Sequence, residues 1–533
     1  MDYRSVVERL FERHRSVQTA GFSAEAYKPG LEQMFDYAAA LGNPQRNFRS
    51  IHVAGTNGKG SVCSMLAAAL AASGFRTGLY TSPHILDFRE RIKIILPVGP
   101  GLRSGELRSA HPSQPDSGWA PPVHVVTGDH GSPNGDQVLP GEAVMITEEA
   151  VCDFMEHYDR DGLSFFEVTT GMAFKWFADS GVDIAVIETG LGGRLDSTNI
   201  ITPEISVITS IGLDHCALLG NTRAEIAAEK AGIFKPGVPA LVWGRDPETQ
   251  PVFERAAATV GCPLYFAEDF QIPDGIGPLD LQGPCQEVNL RTVCAALAVI
   301  GLPATAPEAI ARAGAITGFR GRWEVLRRNP LVICDIGHNP QALAASFSRL
   351  ETLRSSDLPS AGGTSLGGTV AARGHVNGRG PAARLGGMSV AKFPEGGTAG
   401  RRETVSDRDH VNGGVLAASL AGMSGSKFLD GGTGGRRPLI IVYGAMADKD
   451  VDGIVTLMPE DAEYILVRPD TPRAMGTGEL ALKLKAYNIS VQPTVADGVR
   501  AALERAEQLH DAIIYIGGST YVVSEAISYL ESV

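Results

Sequence analysis

Eight short apolar runs constrain this chain more than any other feature: SIHVAG (50–55), TGLYTS (77–82), DIAVIE (183–188), EISVITSI (204–211), LVICDI (331–336), LIIVYG (439–444), AEYILV (462–467) and DAIIYIGG (511–518). Each is β-branched and most lack polar alternation, as expected of strands buried on both faces of a parallel sheet. Helical periodicity predicts crossovers over 61–73, 142–159, 166–180, 222–232 and 287–300. Strand–helix alternation of this kind gives an α/β fold with mostly parallel sheets. At 533 residues the chain is too long for one core. We expect a domain over 1–300, a linker or hinge over 301–316 beginning at the Pro/Ala-rich GLPATAPEA, and a second domain over 317–533.

Two stretches break the alternation. Residues 97–141 carry eight prolines and no periodicity, which predicts a long surface loop. Residues 354–437 hold 20 of the 63 glycines and repeat internally: GHVNGRGPAARLGGMSVAKFPEGGTAGRR (374–402) returns 35 residues later as DHVNGGVLAASLAGMSGSKFLDGGTGGRR (409–437). Too few apolar residues are present for stacked repeats, so a mostly disordered insertion is expected, with a basic partner-binding arm as the sharper alternative.

A net charge of −13 disfavours nonspecific binding to nucleic acid or to anionic membrane, without forbidding an anionic substrate. Seven cysteines with no C-x-x-C pair suit a reducing compartment. With a charged amphipathic start and no run of 18 apolar residues, a cytoplasmic location is expected.

HVAGTNGKGS (52–61) resembles a phosphate-binding loop with altered spelling. Val53 stands where the common pattern has its first glycine, Gly60 stands where it has a hydroxyl, and the hydroxyl arrives at Ser61. A strand, a small-residue turn and a helix start would direct backbone N–H groups at an anion, with Lys59 adding charge. Other polar residues end neighbouring strands: Thr81 and Ser82, then Glu188 before a loop with Arg194 and Asp196, and His215 in SIGLDH. Together they suit a nucleotide and Mg²⁺. Singly, Ser82 reads equally as a helix cap, Glu188 as a salt bridge and His215 as a polar core contact. Lys230 has an ion pair with Glu225 or Glu229 as its alternative. In the second half, Asp335 and His338 occupy a strand-to-helix turn, Arg320 and Arg322 fall at the expected junction, and YGAMADKD (443–450) closes another strand.

GTNGKGS, TSPH with FRERI, FFEVTTGMAF, ETGLGGRLDSTN, GLDH, EKAGIFKPG, GRWEV, DIGHNP and GAMADKD occur in this order. On these motifs the chain resembles the Mur ligase superfamily, and within it the folylpolyglutamate synthase/dihydrofolate synthase family. The resemblance implies an N-terminal P-loop-type domain with a mostly parallel sheet and a C-terminal Rossmann-like α/β domain, with two long low-complexity insertions. It implies ATP-dependent addition of L-glutamate to a folate or dihydropteroate carboxylate through an acyl phosphate, with ATP and Mg²⁺ required. By that likeness Asn57, Gly58, Lys59, Gly60, Ser61, Asn289, Arg322 and Asp335 would hold ATP, while Ser61, Ser82, Glu188 and His215 would hold the metal. Lys230 would join them once carbamylated. Lys59, Lys230, His215, Arg322 and His338 would carry catalysis. The pterin would meet Lys28, Pro29, Gly30 and Leu31, then Ser164, Phe165, Phe166 and Glu167, and Leu195, Asp196 and Ser197. The chain is read as a monomer with small-molecule partners, binding neither nucleic acid nor membrane.

Three features depart from the family pattern: the excursion after RIKI, the glycine-rich insertion, and Cys285 where a histidine commonly precedes Gln286 and Asn289. Rival readings are a Mur-type ligase acting on a cell-wall precursor and a nucleotide-binding scaffold.

Overall fold

The apolar runs assemble into two sheets. The computed structural model describes residues 2–14, 30–97, 141–302, 306–355 and 436–533. The first sheet contains β1 (Arg49–Ala54), β2 (Thr77–Tyr80), β3 (Ile92–Ile95), β4 (Ala143–Met145), β5 (Ile184–Glu188), β6 (Ile205–Ile208), β7 (Ala240–Val242) and β8 (Leu264–Phe266). Its order is β4-β3-β2-β5-β1-β6-β7-β8, parallel except at β3 and β4. The second sheet contains β9 (Glu324–Arg328), β10 (Leu331–Asp335), β11 (Leu439–Tyr443), β12 (Glu463–Leu466), β13 (Asn488–Val491) and β14 (Ile513–Gly517). Its order is β13-β12-β11-β14-β10-β9, parallel except at β9. This is the expected α/β architecture.

Register brings the strand tips of the first sheet to one edge. Val53 on β1 pairs with Glu188 on β5, Tyr80 on β2 pairs with Ile187, and Ala54 pairs with Ile208 on β6. The residues just beyond those pairs therefore crowd together at the carboxyl ends, where open α/β sheets bind ligands.

The helix Lys59–Ala72 follows β1 and is apolar on all sides, so it must be covered on all sides. Twelve of its 14 residues are buried. Val62, Met65, Leu66 and Leu70 are fully buried, each worth roughly 1.5–3 kcal/mol of transfer free energy. The helix packs against the sheet on one side. On the other it meets the helices Gln286–Val299, Pro307–Ala311 and Ala313–Thr317. Most of the described part of 301–316 thus belongs to the core of the first sheet. Lys93 on β3 secures its end: buried, and pushed down to about 8 by that burial, it donates to the carbonyls of Thr317 (2.8 Å) and Gly318 (3.1 Å).

One helix expectation changes. Residues 143–145 form β4 against β3, and the helix begins at Glu148, where the Thr147 hydroxyl caps it by accepting from Ala150 N–H. The excursions at 97–141 and 354–437, with the tandem repeat, lie almost wholly outside the described residues. Their stems do not. Leu96 N–H donates to Glu142 O at 3.0 Å. Arg437 N–H donates to Arg354 O at 3.2 Å, and the buried Arg354 guanidinium returns a bond to Arg437 O at 3.0 Å and clasps both oxygens of Asp461 at 2.8 and 2.7 Å.

Candidate active site

The tips of β1, β2, β5 and β6 line a cleft of about 320 Å³, faced by residues that follow β10 on the second sheet. Lys59, Glu188 and His215 all open into this one space, as do Asn57, Gly58, Gly60, Ser61, Ser82, Lys230, Asn289, Arg322, Asp335 and His338.

The spelling of the loop has a packing cause. Gly55 (φ +152°) and Gly58 (φ +89°) occupy backbone conformations that favour glycine, and a Cβ on either would collide with Thr209 or Asn289. Gly60 is different: its backbone is ordinary, but a Cβ there would lie 2.5 Å from the Phe319 ring. A hydroxyl residue there would force the Phe319 ring, which covers the helix start, to shift. Gly60→Ser, which restores the common spelling, is therefore expected to raise the KM for ATP and to destabilise the fold by about 1–3 kcal/mol. Steady-state kinetics and thermal melting check this. A wild-type KM with an unchanged melting temperature would remove Phe319 from the explanation.

Lys59 Nζ lies 3.4 Å from the Thr56 carbonyl and 3.9 Å from Glu188 Oε1. Glu188 is buried and accepts from Ser82 N–H at 3.1 Å. Burial pushes its carboxyl up, while Lys59, that hydrogen bond, Arg322 and Arg91 pull the other way. Ser61 Oγ is held at 3.2 Å by Gln286 Nε2, and Gln286 Oε1 in turn accepts from Asn289 Nδ2 at 3.0 Å. Burial drives His215 down to about 3, leaving a neutral imidazole able to ligate. Lys230 is buried and donates to Gly55 O at 2.8 Å. Burial, with the Lys59 charge beside it, pushes Lys230 down to about 7.

Facing these, Arg322 is pushed down by burial and held up by Asp335 and Glu188. Asp335 accepts from Trp323 N–H (2.9 Å) and Gly337 N–H (2.8 Å), so β10 and the loop before β9 are tied together. Among the described residues no group of three or more His, Cys, Asp or Glu is poised around a metal. One carboxylate, two serine hydroxyls and a neutral imidazole beside a phosphate cradle nevertheless fit Mg²⁺, which binds through few protein groups and completes its shell with phosphate and water.

Other expected residues lie elsewhere or are already engaged. Arg320 pairs with Glu324 (2.7 Å) and Glu531 (2.6 Å), outside the cleft that Arg322 lines. Arg194 is exposed and pairs with Glu229 at 2.9 Å. Lys230 takes Gly55 O rather than Glu225, which caps its own helix through Thr222, or Glu229. Ser164 and Glu167 satisfy each other in a capping box. Phe165 is buried, stacked on Phe11 at 4.7 Å with Arg91 over its ring at 5.2 Å. Phe166 is only partly buried and covers Gly190. Asp196 is buried and accepts from Leu191 N–H (2.8 Å) and Thr198 N–H (3.1 Å), shaping the loop that carries Leu195 and Ser197. Gly30 and Leu31 precede the helix Glu32–Ala40, while Lys28 and Pro29 lie outside the described residues.

Sequence reading missed the contacts that join the sheets. Asn57 donates to Gln341 Oε1 at 3.0 Å, Asn339 donates to Asn57 Oδ1 at 3.0 Å, and Lys449 reaches Asp214 at 2.9 Å. Only the position of Lys449 in a strand-end loop hinted at any of them.

No protein-family model matches the chain. It is 34% identical over 343 residues to the folylpolyglutamate synthase of Lacticaseibacillus casei, spanning 60% of this chain and 72% of that one. It is 32% identical over 342 residues to the dihydrofolate synthase/folylpolyglutamate synthase of Bacillus subtilis, spanning 59% and 70%. A crystal structure of the bifunctional synthase of Yersinia pestis, complexed with AMPPNP and a Mn ion, aligns with a TM-score of 0.64 at 22% identity, covering 100% of this chain and 98% of that chain.

Proposed function

The chain belongs to the folylpolyglutamate synthase/dihydrofolate synthase family, and from that premise we propose that it joins L-glutamate to the carboxylate of a folate or dihydropteroate at the expense of ATP. The observation that carries the reading is one cleft in which Lys59, Glu188, His215 and Lys230 from one sheet face Arg322 and Asp335 from the other.

In this reading Gly58, Lys59 and Gly60 cradle the phosphates, Asn289 and Asp335 hold the remainder of ATP, and Arg322 meets charge developing on the transferred phosphoryl group. Ser61, Ser82, Glu188 and His215 would hold Mg²⁺. When bound, the ion neutralises phosphate charge. The folate carboxylate attacks the γ-phosphorus and ADP leaves, giving an acyl phosphate. The glutamate amine then attacks the acyl carbon, phosphate departs with the C–O electrons, and the amine proton is lost. His338 lines the cleft and would act beside the phosphate or the glutamate. The buried Lys230 amine takes up CO₂, losing a proton, and the resulting carboxylate would help hold a second metal ion.

The pterin is assigned to the region of Gly30, Leu31, Phe166 and the 195–197 loop. Phe166 supplies the ring contact, because both the stacking and the burial of Phe165 are already used. We also propose two domains, 1–300 and 317–533, with 301–316 passing between them while packed on the first, and a cytoplasmic monomer. Light scattering that returned the mass of two chains would contradict the last point. No helix among the described residues is long and apolar enough to cross a membrane.

The purified chain, given ATP, glutamate and either dihydropteroate or tetrahydrofolate, should release ADP and yield a product heavier by one glutamyl unit, read by mass spectrometry. ATP binding without product from either acceptor would replace the ligase reading with the scaffold one.

A further inference from the structure

Asp214 has no task in the chemistry above, yet its carboxylate joins both sheets at the edge of the cleft. Oδ1 accepts from Lys449 Nζ at 2.9 Å and from the N–H of its neighbour His215, also at 2.9 Å. Oδ2 accepts from Asn339 Nδ2 at 3.2 Å and lies 3.5 Å from His338 Nε2. Lys449, Asn339 and His338 all sit on loops of the second sheet, whereas Asp214 and His215 follow β6 of the first.

His215 needs such a partner. Its backbone is left-handed, at φ +54°, a conformation that residues with a Cβ adopt rarely and that persists where the surroundings over-determine it. That turn starts the short helix Cys216–Leu219 and leaves the imidazole lining the nucleotide cleft. The oxygen that accepts the His215 amide is the one Lys449 grips. Lys449 is itself mostly buried, and its 2.9 Å contact is a charge-assisted bond.

We propose that Lys449 is a positioning residue for the ligase reaction: by fixing Asp214 it holds His215 in the left-handed turn that presents its imidazole to the nucleotide-bound metal. The first sheet supplies the ligand, and the second supplies the group that sets its aim. The inference rests on the reading of His215 as a metal-holding residue.

The test uses the full chain with Mn²⁺ and a non-hydrolysable ATP analogue, titrated by electron paramagnetic resonance. Lys449→Met should weaken Mn²⁺ binding on the order of 10–100-fold, the range for losing a group that orients a metal ligand. It should also raise the KM for ATP while leaving the KM for the folate substrate near wild type. Lys449→Arg, which keeps the charge, should recover most of the affinity. Lys449→Gln serves as the second neutral variant if the methionine chain does not fold. Wild-type Mn²⁺ affinity in a folded neutral variant overturns the proposal. So does an arginine variant that melts like wild type but binds no better than Lys449→Met. If the wild-type chain turns over but binds no Mn²⁺ with the analogue, the metal reading of His215 falls and takes this inference with it. If the wild-type chain binds Mn²⁺ but forms no product, the ligase reading fails separately.

Discussion

Lys59→Ala is expected to abolish turnover, with kcat falling by roughly 10²–10³-fold or more, as when a preorganised charge-stabilising group is removed. The side chain is mostly buried at the cleft, beside the carbonyl of Thr56 and 3.9 Å from Glu188. Its ammonium opens into the cleft from the glycine loop that would receive phosphate. A second loss follows from the first. Burial already pushes Glu188 up and Lys59 is the largest opposing influence, so the alanine variant leaves a carboxyl that holds a proton more tightly and a metal less well. Lys59→Arg should restore little, because a planar fork does not replace a point charge in a loop this tight. ADP release measures turnover, and calorimetry with an ATP analogue measures binding. An alanine variant that still turns over would show that the loop does not serve the phosphates.

Lys230→Ala should lose activity by about 10²-fold, and millimolar acetate or another small carboxylic acid should return part of it. The contact of Lys230 with Gly55 O admits a plainer role, that of satisfying one buried carbonyl. The two roles differ in chemistry. A lysine pushed down to about 7 is substantially uncharged at neutral pH and can attack CO₂, becoming an anion where it was a cation. Carbamate formation consumes the uncharged amine, so the wild-type chain should lose activity as pH falls through about 7. The acetate-rescued alanine variant should lack that limb. Depleting CO₂ should slow the wild type, and bicarbonate should restore it. Loss of activity that no carboxylate rescues would leave Lys230 with the carbonyl-satisfying role alone.

The inner parallel strands were legible because burial on both faces demands unbroken β-branched runs. β1, β2, β5, β6, β10, β11, β12 and β14 each coincide with one of the eight runs. The outer strands were less so. β4, β7 and β8 are three residues long, and β9 and β13 are partly exposed, so neither length nor pattern separates them from loops. At the site, motifs following strand tips located the cleft-lining groups of the first sheet. The choice between Arg320 and Arg322 was only partly local: Glu324, four residues on, and Glu531, more than two hundred residues away, together hold Arg320 outside the cleft. The Asn57–Asn339 and Lys449–Asp214 contacts depend on how two sheets meet, and periodicity within either one carries no trace of that. The Gly60 anomaly could be seen in the letters but explained only by Phe319.

The stem of the second excursion has an evolutionary consequence. Arg354 and Arg437 bond each other's backbone, and Asp461 anchors the pair from the rest of the fold. The chain therefore departs and re-enters through a single closed doorway, and the strands of the second sheet lie before it (β9 and β10) and after it (β11 to β14). A segment attached at such a doorway can lengthen, duplicate or diverge under its own selection. For a flexible segment closed at such a doorway, the entropic cost of closure grows by about 0.6 kcal/mol for each doubling of length.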